Sequence, residues 1–151
     1  MDRDLVRQVR SFNRRVTRRV GALEESYLRR GRPLGEARLI YEIGDEGADV
    51  RALRDRLALD SGYLSRLLQS LKDQGLLEVR RQDDDGRMRR ATLTGRGRRE
   101  LAAYDRLSDE LASSMLERLD ADQRRRLAAA MADVERLIQA GSVEIAAEAP
   151  D

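Results

Sequence analysis

Residues 34–149 contain no proline, so nothing in most of the chain forbids a helix, and glycines and hydrophobic period must set the boundaries. Before that stretch, Leu5, Val9, Phe12, Val16, Val20, Leu23 and Tyr27 recur at steps of three and four, the period of one helical face. Arg3, Arg7, Arg10, Arg14 and Arg18 form a second stripe at the same period. The stop signal is Arg30-Gly31-Arg32-Pro33, a glycine followed by a proline. The expectation is a helix of about 27 residues, rising roughly 40 Å. That exceeds what a small core covers, so part of it is expected to pack on another chain.

A shorter helix is expected over 34–43, with Leu34, Ala37, Ile40 and Tyr41 as its apolar side, Leu39 beside them and Gly44 closing it. Ala48 to Leu57 follows, with Val50, Leu53 and Leu57 at helical steps. Ala58-Leu59-Asp60 makes a tight connection, and Asp60 or Ser61 suits an N-cap, where a short side-chain oxygen accepts an unpaired backbone N–H. The next helix runs from Ser61 to Gln74, ends at Gly75, and buries Leu64, Leu67, Leu68 and Leu71. The period then changes to two. Leu77, Val79 and Arg81 alternate with Glu78 and Arg80, and Ala91-Thr92-Leu93 resumes after Asp83-Asp84-Asp85-Gly86, which reads as a hairpin with a polar tip. Thr94 caps a second long helix to about Leu119, with Leu101, Tyr104, Leu107 or Ser108, Leu111 and Met115 or Leu116 inward. Asp120 caps a last helix striped by Leu127, Met131, Val134 and Ile138, and the acidic tail after Gly141 is expected to be loose or strand-like.

Composition narrows the chemistry. Among 151 residues there is no cysteine and no histidine, which excludes disulfides, thiol redox sensing, Cys/His zinc sites and every triad that needs imidazole. The expectation is a protein that is not an enzyme and has no cofactor or metal. Asp83-Asp84-Asp85-Gly86 lacks the alternate acids and closing glutamate of a calcium loop. Gly95-Arg96-Gly97 mimics a dinucleotide fingerprint, but Glu100 stands at the third glycine and would repel a pyrophosphate. Met1-Asp2-Arg3-Asp4 offers no signal-peptide core and no apolar run reaches membrane length, so the expected location is the cytoplasm.

The formal net charge of +2 hides its distribution. Residues 1–32 carry a net +6 and 61–100 a net +4, whereas 33–60 and 101–151 carry −3 and −5. A polyanion would therefore meet two regions of the chain. Lys72 is the only lysine, so arginine is the default solubilising cation and position must decide which arginines matter.

Two helices joined by a three-residue turn, followed by a basic hairpin, form a winged helix-turn-helix pattern. The leucines of the helix over 61–74 pin one side, leaving Ser61, Gly62, Tyr63, Ser65, Arg66, Gln69 and Ser70 on the outer or N-terminal surface. These residues are short, mostly uncharged and rich in donors and acceptors. In a major groove arginine reads guanine and glutamine reads adenine, so Arg66 and Gln69 are the expected base readers. Ser61, Tyr63 and Ser65 suit phosphates or thymine methyls. In the hairpin over 82–90, Arg87, Arg89 and Arg90 flank the turn, and Asp85 is placed to hold Arg87 extended toward a narrow minor groove. The competing reading is a solvated amphipathic helix beside a surface hairpin whose Asp83 and Asp84 would repel phosphate.

Leu59-Asp60-Ser61-Gly62-Tyr63-Leu64-Ser65-Arg66-Leu67, then Gly75-Leu76, Asp85-Gly86-Arg87 and Leu93-Thr94-Gly95-Arg96-Gly97, in this order and spacing, resemble the MarR family of bacterial transcription regulators. Phe12-Asn13-Arg14 with Arg32 through Gly44 is similar to the regulator half of proteins that fuse such a domain to a GNAT acetyltransferase. No segment of this sequence resembles that second domain. The resemblance covers about residues 1–140. It implies one mainly α domain over 1–151: a winged helix-turn-helix at 34–94, dimerisation helices at 1–32 and 95–140, and a tail at 141–151. It implies a homodimer on a palindromic duplex operator, acting as a repressor, with Ser65 and Arg66 in the major groove and Arg87, oriented by Asp85, in the minor groove. The dimer interface is expected to use Val9, Phe12 and Val16 with Leu127, Met131, Val134 and Ile138. A small aromatic or carboxylate effector is a further implied partner, with Phe12, Tyr27, Arg38 and Tyr41 around its pocket, although a core role competes for each aromatic. Family members that sense peroxides use a cysteine, and this chain has none. A second class stays open: a winged-helix module for protein pairing or sequence-independent DNA compaction.

Overall fold

The computed structural model describes residues 1–21, 27–82 and 88–148, with 142–148 described by their backbone alone. The chain forms two compact units, Met1–Asp109 and Glu110–Asp151.

In the first unit α1 spans Arg3–Val20, and Asp2 caps it by accepting from the backbone N–H groups of Asp4 and Leu5. It is shorter than the periodicity suggested. Gly21 takes the left-handed conformation at φ 69° and its N–H bonds back to Arg18, which ends the helix. The expected stop at Gly31 lies instead beyond a single 3-10 turn, Tyr27–Arg29. Leu23, placed in the apolar stripe, falls outside the described residues. Helix α2 spans Leu34–Ile43 and closes at Gly44 as expected. Its buried face differs: Leu39, Ile40 and Ile43 are fully enclosed, while Tyr41 is 64% exposed. The reason is that α2 lies against both α4 (Ser61–Asp73) and β3 (Arg89–Leu93), so its apolar arc centres on Ile40 and Ile43.

A second correction concerns Ala48. The first two residues of the expected helix form a strand, β1 (Ala48–Asp49), before α3 (Val50–Leu57) begins, and Asp49 then caps α3 by accepting from Ala52 N–H at 3.1 Å. Together with β2 (Leu77–Arg81) and β3 it makes an antiparallel sheet of order β1-β3-β2, in which Ala48 faces Ala91 and Leu77 faces Leu93. The hairpin matches the period-two reading. Ala58, left-handed at φ 50°, turns the chain from α3 into α4.

All four expected leucines of α4 are buried. They join Leu39, Ile40, Leu53, Leu76, Leu77, Ala91, Leu93, Leu101 and Tyr104 in one core. At roughly 25 cal/mol per Å² of apolar surface removed from water, this core is what fixes the α3–turn–α4 unit on the sheet. Helix α5 (Gly95–Leu116) starts with the Thr94 hydroxyl accepting from Gly97 N–H at 3.1 Å and donating to the Gly75 carbonyl at 2.7 Å. Leu101 and Tyr104 point inward, and Leu107, Ser108, Leu111 and Met115 are half-buried.

In the second unit α6 spans Ala121–Glu148. Asp120 and Gln123 cap each other: Gln123 N–H donates to the Asp120 carboxylate at 2.8 Å and Asp120 N–H to the Gln123 carbonyl at 3.0 Å. The helix continues through Gly141, which corrects the expectation of a loose or strand-like segment there; a lone glycine costs a helix only about 1 kcal/mol. No helix among the described residues is long and apolar enough to cross a membrane.

Candidate nucleic-acid interface

Helix α4 is the centre of the candidate site. Asp60 caps it, accepting from Tyr63 N–H at 3.1 Å. Because the buried leucines occupy one side, Ser61, Gly62, Tyr63, Ser65, Arg66 and Gln69 are all exposed, as expected. The Arg66 guanidinium lies over the Tyr63 ring, 5.9 Å from its centroid, which stiffens a long side chain. The Gln69 amide donates to Asp73 at 2.8 Å, one turn on. Tyr63 reaches sideways rather than outward: a Cβ at Gly35, in the first turn of α2, would lie 3.1 Å from its hydroxyl. Ser70 departs from the expected surface. It is half-buried, and its hydroxyl donates to Glu36 on α2.

Two hollows border this face. One, of about 300 Å³, lies between the start of α4 and the wing and is lined by Arg51, Arg54, Ser61, Ser65 and Arg89 among others. The second, of about 290 Å³, lies on the other side of the wing strand and takes in Ser65, Gln69, Lys72, Arg81 and Arg89. The edge of α4 that faces the wing is thus bordered by cations along its length, beside the donor-rich outer surface. Sequence reading missed Arg51, Arg54, Lys72 and Arg81. The signal for the first two was their three-residue spacing on α3 just before the tight turn, which puts both on one face.

Strand alternation separates the two wing arginines. Arg89 lines both hollows, while Arg90 is half-buried and donates to the Glu46 carbonyl at 2.6 Å, tying down the loop before β1. Asp85 and Arg87 lie outside the described residues.

The four residues named for an effector pocket are partly united. Tyr27, Arg38 and Tyr41 line a cleft of about 340 Å³ with Leu101, Tyr104 and Asp105, and Phe12 is not part of its lining. The Tyr27 and Tyr104 rings stack at 6.1 Å. Behind the cleft, Arg30 and Arg32 both bind Glu100, the Arg32 contact being 2.6 Å. Burial pushes the Glu100 carboxyl up, but hydrogen bonds from the two guanidiniums outweigh it and hold the group below the ordinary glutamate value. Burial likewise raises the Tyr104 phenol, and Arg32 only partly offsets this. A carboxyl depressed in the folded state stabilises the fold above its unfolded pKa and loses that contribution as pH falls through the folded one. The stability gap between wild type and Glu100→Gln in denaturant melts is therefore expected to be widest at neutral pH and to close as pH drops below about 4.3. A gap independent of pH would show that ionisation of Glu100 does not contribute.

The apolar stripes named for dimerisation are uncovered in the single chain. Val9, Phe12 and Val16 of α1 are 50%, 49% and 43% exposed, and Met131, Val134 and Ile138 of α6 are exposed while Leu127 is half-buried. No cluster of three or more Cys, His, Asp or Glu able to hold a metal occurs among the described residues.

Residues 30–88 match the model of the MarR family. No curated protein matches the chain. Among solved structures it is similar to FabT of Streptococcus pneumoniae in complex with DNA, at 17% identity and a TM-score of 0.74 over 89% of this chain and 97% of that one. A mutant E. coli MarR complexed with operator DNA aligns at 20% identity and a TM-score of 0.69, covering 89% and 99% of the two chains. BpsR of Bordetella bronchiseptica, whose DNA binding is regulated by 6-hydroxynicotinic acid, aligns at 18% and 0.67, covering 85% and 98%. The architecture described above is the winged-helix fold of these proteins.

Proposed function

Residues 30–88 match the MarR-family model, and from that match we propose that the chain is a MarR-family, homodimeric, sequence-specific regulator of transcription, a repressor that binds a palindromic duplex operator in the cytoplasm and acts by binding, not catalysis. One observation carries this reading: the exposed side of α4 offers Ser61, Ser65, Arg66 and Gln69 beside a row of cations along its wing-facing edge, Arg51 and Arg54 near its start and Lys72 and Arg81 farther along. A major groove admits a helix, and its guanine and adenine edges suit Arg66 and Gln69. The cations along that edge suit the phosphates that border the groove, and Arg89 sits where the wing would follow the backbone. Arg87 is the proposed minor-groove residue, with Asp85 proposed to orient it. Ser70 and Arg90, engaged by Glu36 and Glu46, are proposed to support this surface from behind.

The dimer half of the proposal rests on the exposed Val9, Phe12 and Val16 of α1 and the exposed Met131, Val134 and Ile138 of α6 with half-buried Leu127, whose apolar surface a second copy would cover. The cleft of Tyr27, Arg38 and Tyr41 supports a small aromatic or carboxylate effector, a ring suiting the tyrosines and a charge suiting Arg38.

The test is a salt-controlled titration on duplexes selected by the protein from a random pool. A preference of about 10³-fold or more over random duplex at physiological salt is expected. Equal affinity for all sequences would leave the compaction or protein-pairing module as the reading. Sedimentation of the same sample is expected to give a dimer, and a monomer at micromolar concentration would remove the two-fold half of the proposal.

A further inference from the structure

Glu36 is the one buried charged residue among the described residues, and no cation is its partner. Its contacts are the Ser70 hydroxyl and, at 3.5 Å, the Gln74 amide, both from α4. Gln74 in turn donates to the Ser70 carbonyl and hydroxyl, each at 3.2 Å, and its own carbonyl accepts from Arg32 Nε at 3.0 Å. Arg32 then reaches Glu100 at 2.6 Å and the Tyr104 hydroxyl at 3.1 Å, with its guanidinium 5.7 Å from the Tyr104 ring. One line of hydrogen bonds therefore ties α2, the end of α4, the residue before Pro33 and the start of α5.

Stability alone is a weak reason for such a line, since well-packed apolar groups in place of buried polar ones are often neutral or stabilising. Direction is the better reason. Tyr63, Leu67, Ser70 and Gln74 follow one another at steps of four, three and four, so they run along a single edge of α4, the edge that faces α2. The buried leucines set which side of α4 faces the core, and finer adjustment within that packing is left to directional contacts, because apolar burial is itself non-directional. Hydrogen bonds at one edge supply that finer angular restraint. Arg66 and Gln69 project from the same helix, and a working site tolerates only about 0.5 Å or 10–20° of misplacement.

We infer that Ser70, Gln74 and Arg32 are positioning residues for DNA reading: they set the rotation at which α4 presents Arg66 and Gln69. This rests on the proposed reading of α4. The experiment uses the full-length protein with the duplex it selects from a random pool and with a random duplex. Gln74→Leu removes the amide from the centre of the line while the cations around the site remain. The expected result is a drop of about tenfold in the selected-to-random affinity ratio, comparable to one misread base pair, with random-duplex affinity and its salt dependence unchanged. A loss of packing or stability alone would lower both affinities together, and that outcome overturns the inference, as does an unchanged ratio in a folded variant. Should Gln74→Leu fail to fold, Ser70→Ala, which cuts the link to Glu36, is held to the same criterion. A wild-type protein that binds every duplex equally would remove the reading of α4, and this inference with it; a wild type that discriminates beside a Gln74→Leu that discriminates equally removes the inference alone.

Discussion

Gly97→Ala is expected to destabilise the protein by about 3 kcal/mol, the upper part of the usual range for overpacking. Gly97 is buried in the first turn of α5, where its N–H meets the Thr94 hydroxyl. A Cβ built there would lie 2.0 Å from the Leu76 carbonyl oxygen and 3.2 Å from the Leu93 Cβ. The obstructing atom is backbone, so no rotamer change relieves the clash. Nor is Leu76 free to retreat: its carbonyl accepts from Thr94 N–H at 3.0 Å and its side chain is enclosed by the core. Either α5 lifts from the sheet or the β2–β3 ladder shifts. Gly95→Ala is the control, because the nearest atom to its added carbon is the tip of Arg99, 3.6 Å away. That variant is expected to stay within about 0.5 kcal/mol of wild type, since alanine suits a helix better than glycine. Urea melts of the two variants check the pair. Equal stabilities would mean that the close approach of α5 to Leu76 does not constrain the fold.

Arg66→Ala is expected to weaken binding to the selected duplex by about 1–3 kcal/mol while leaving thermal stability unchanged. The side chain is exposed and lies over the Tyr63 ring, so the folded state loses little on truncation. The effect should be sequence-dependent, with most of the loss disappearing on random duplex, because a base contact carries information and a phosphate contact does not. Arg54→Ala supplies the contrast. Its place beside the start of α4 suits a phosphate, so its loss should be similar on every duplex and the salt slope should fall by about one. If Arg66→Ala lowered affinity equally for all sequences, Arg66 would be a backbone contact and the base-reading assignment would pass to Gln69.

The two variants also mark how far the amino-acid order carries. Arg66 was legible because four leucines at helical spacing leave only one outward side, and because Asp60 announces where the helix starts. Gly97 was legible only as a helix start. Its need to be glycine comes from Leu76, twenty-one residues away, which periodicity does not register. Arg51, Arg54 and Arg81 looked like ordinary solubilising charges, and acquire a place only when α3 and the wing are brought to one edge of α4. Ser70 misled for the opposite reason. Its type suits a contact face, but α2 folds across that edge and Glu36 takes the hydroxyl.

The length of α1 shows how a boundary escapes. Apolar period continued past Gly21, yet a left-handed glycine breaks the helix there however favourable the next turn looks. Strand β1 escaped because two residues are too few to display alternation. It exists because β3 has a second edge to pair, with Gly47 at φ 80° turning the chain into that edge. By itself, then, the order of residues determined the kinds of element, the caps at Thr94 and Asp120, one at Asp60 or Ser61, and which side of α4 is apolar, because period and capping act within a few neighbours. Tertiary structure alone decided which polar groups stay available on the surface, where a glycine is indispensable, and which distant arginines gather beside α4, because those follow from contacts between segments far apart in the chain.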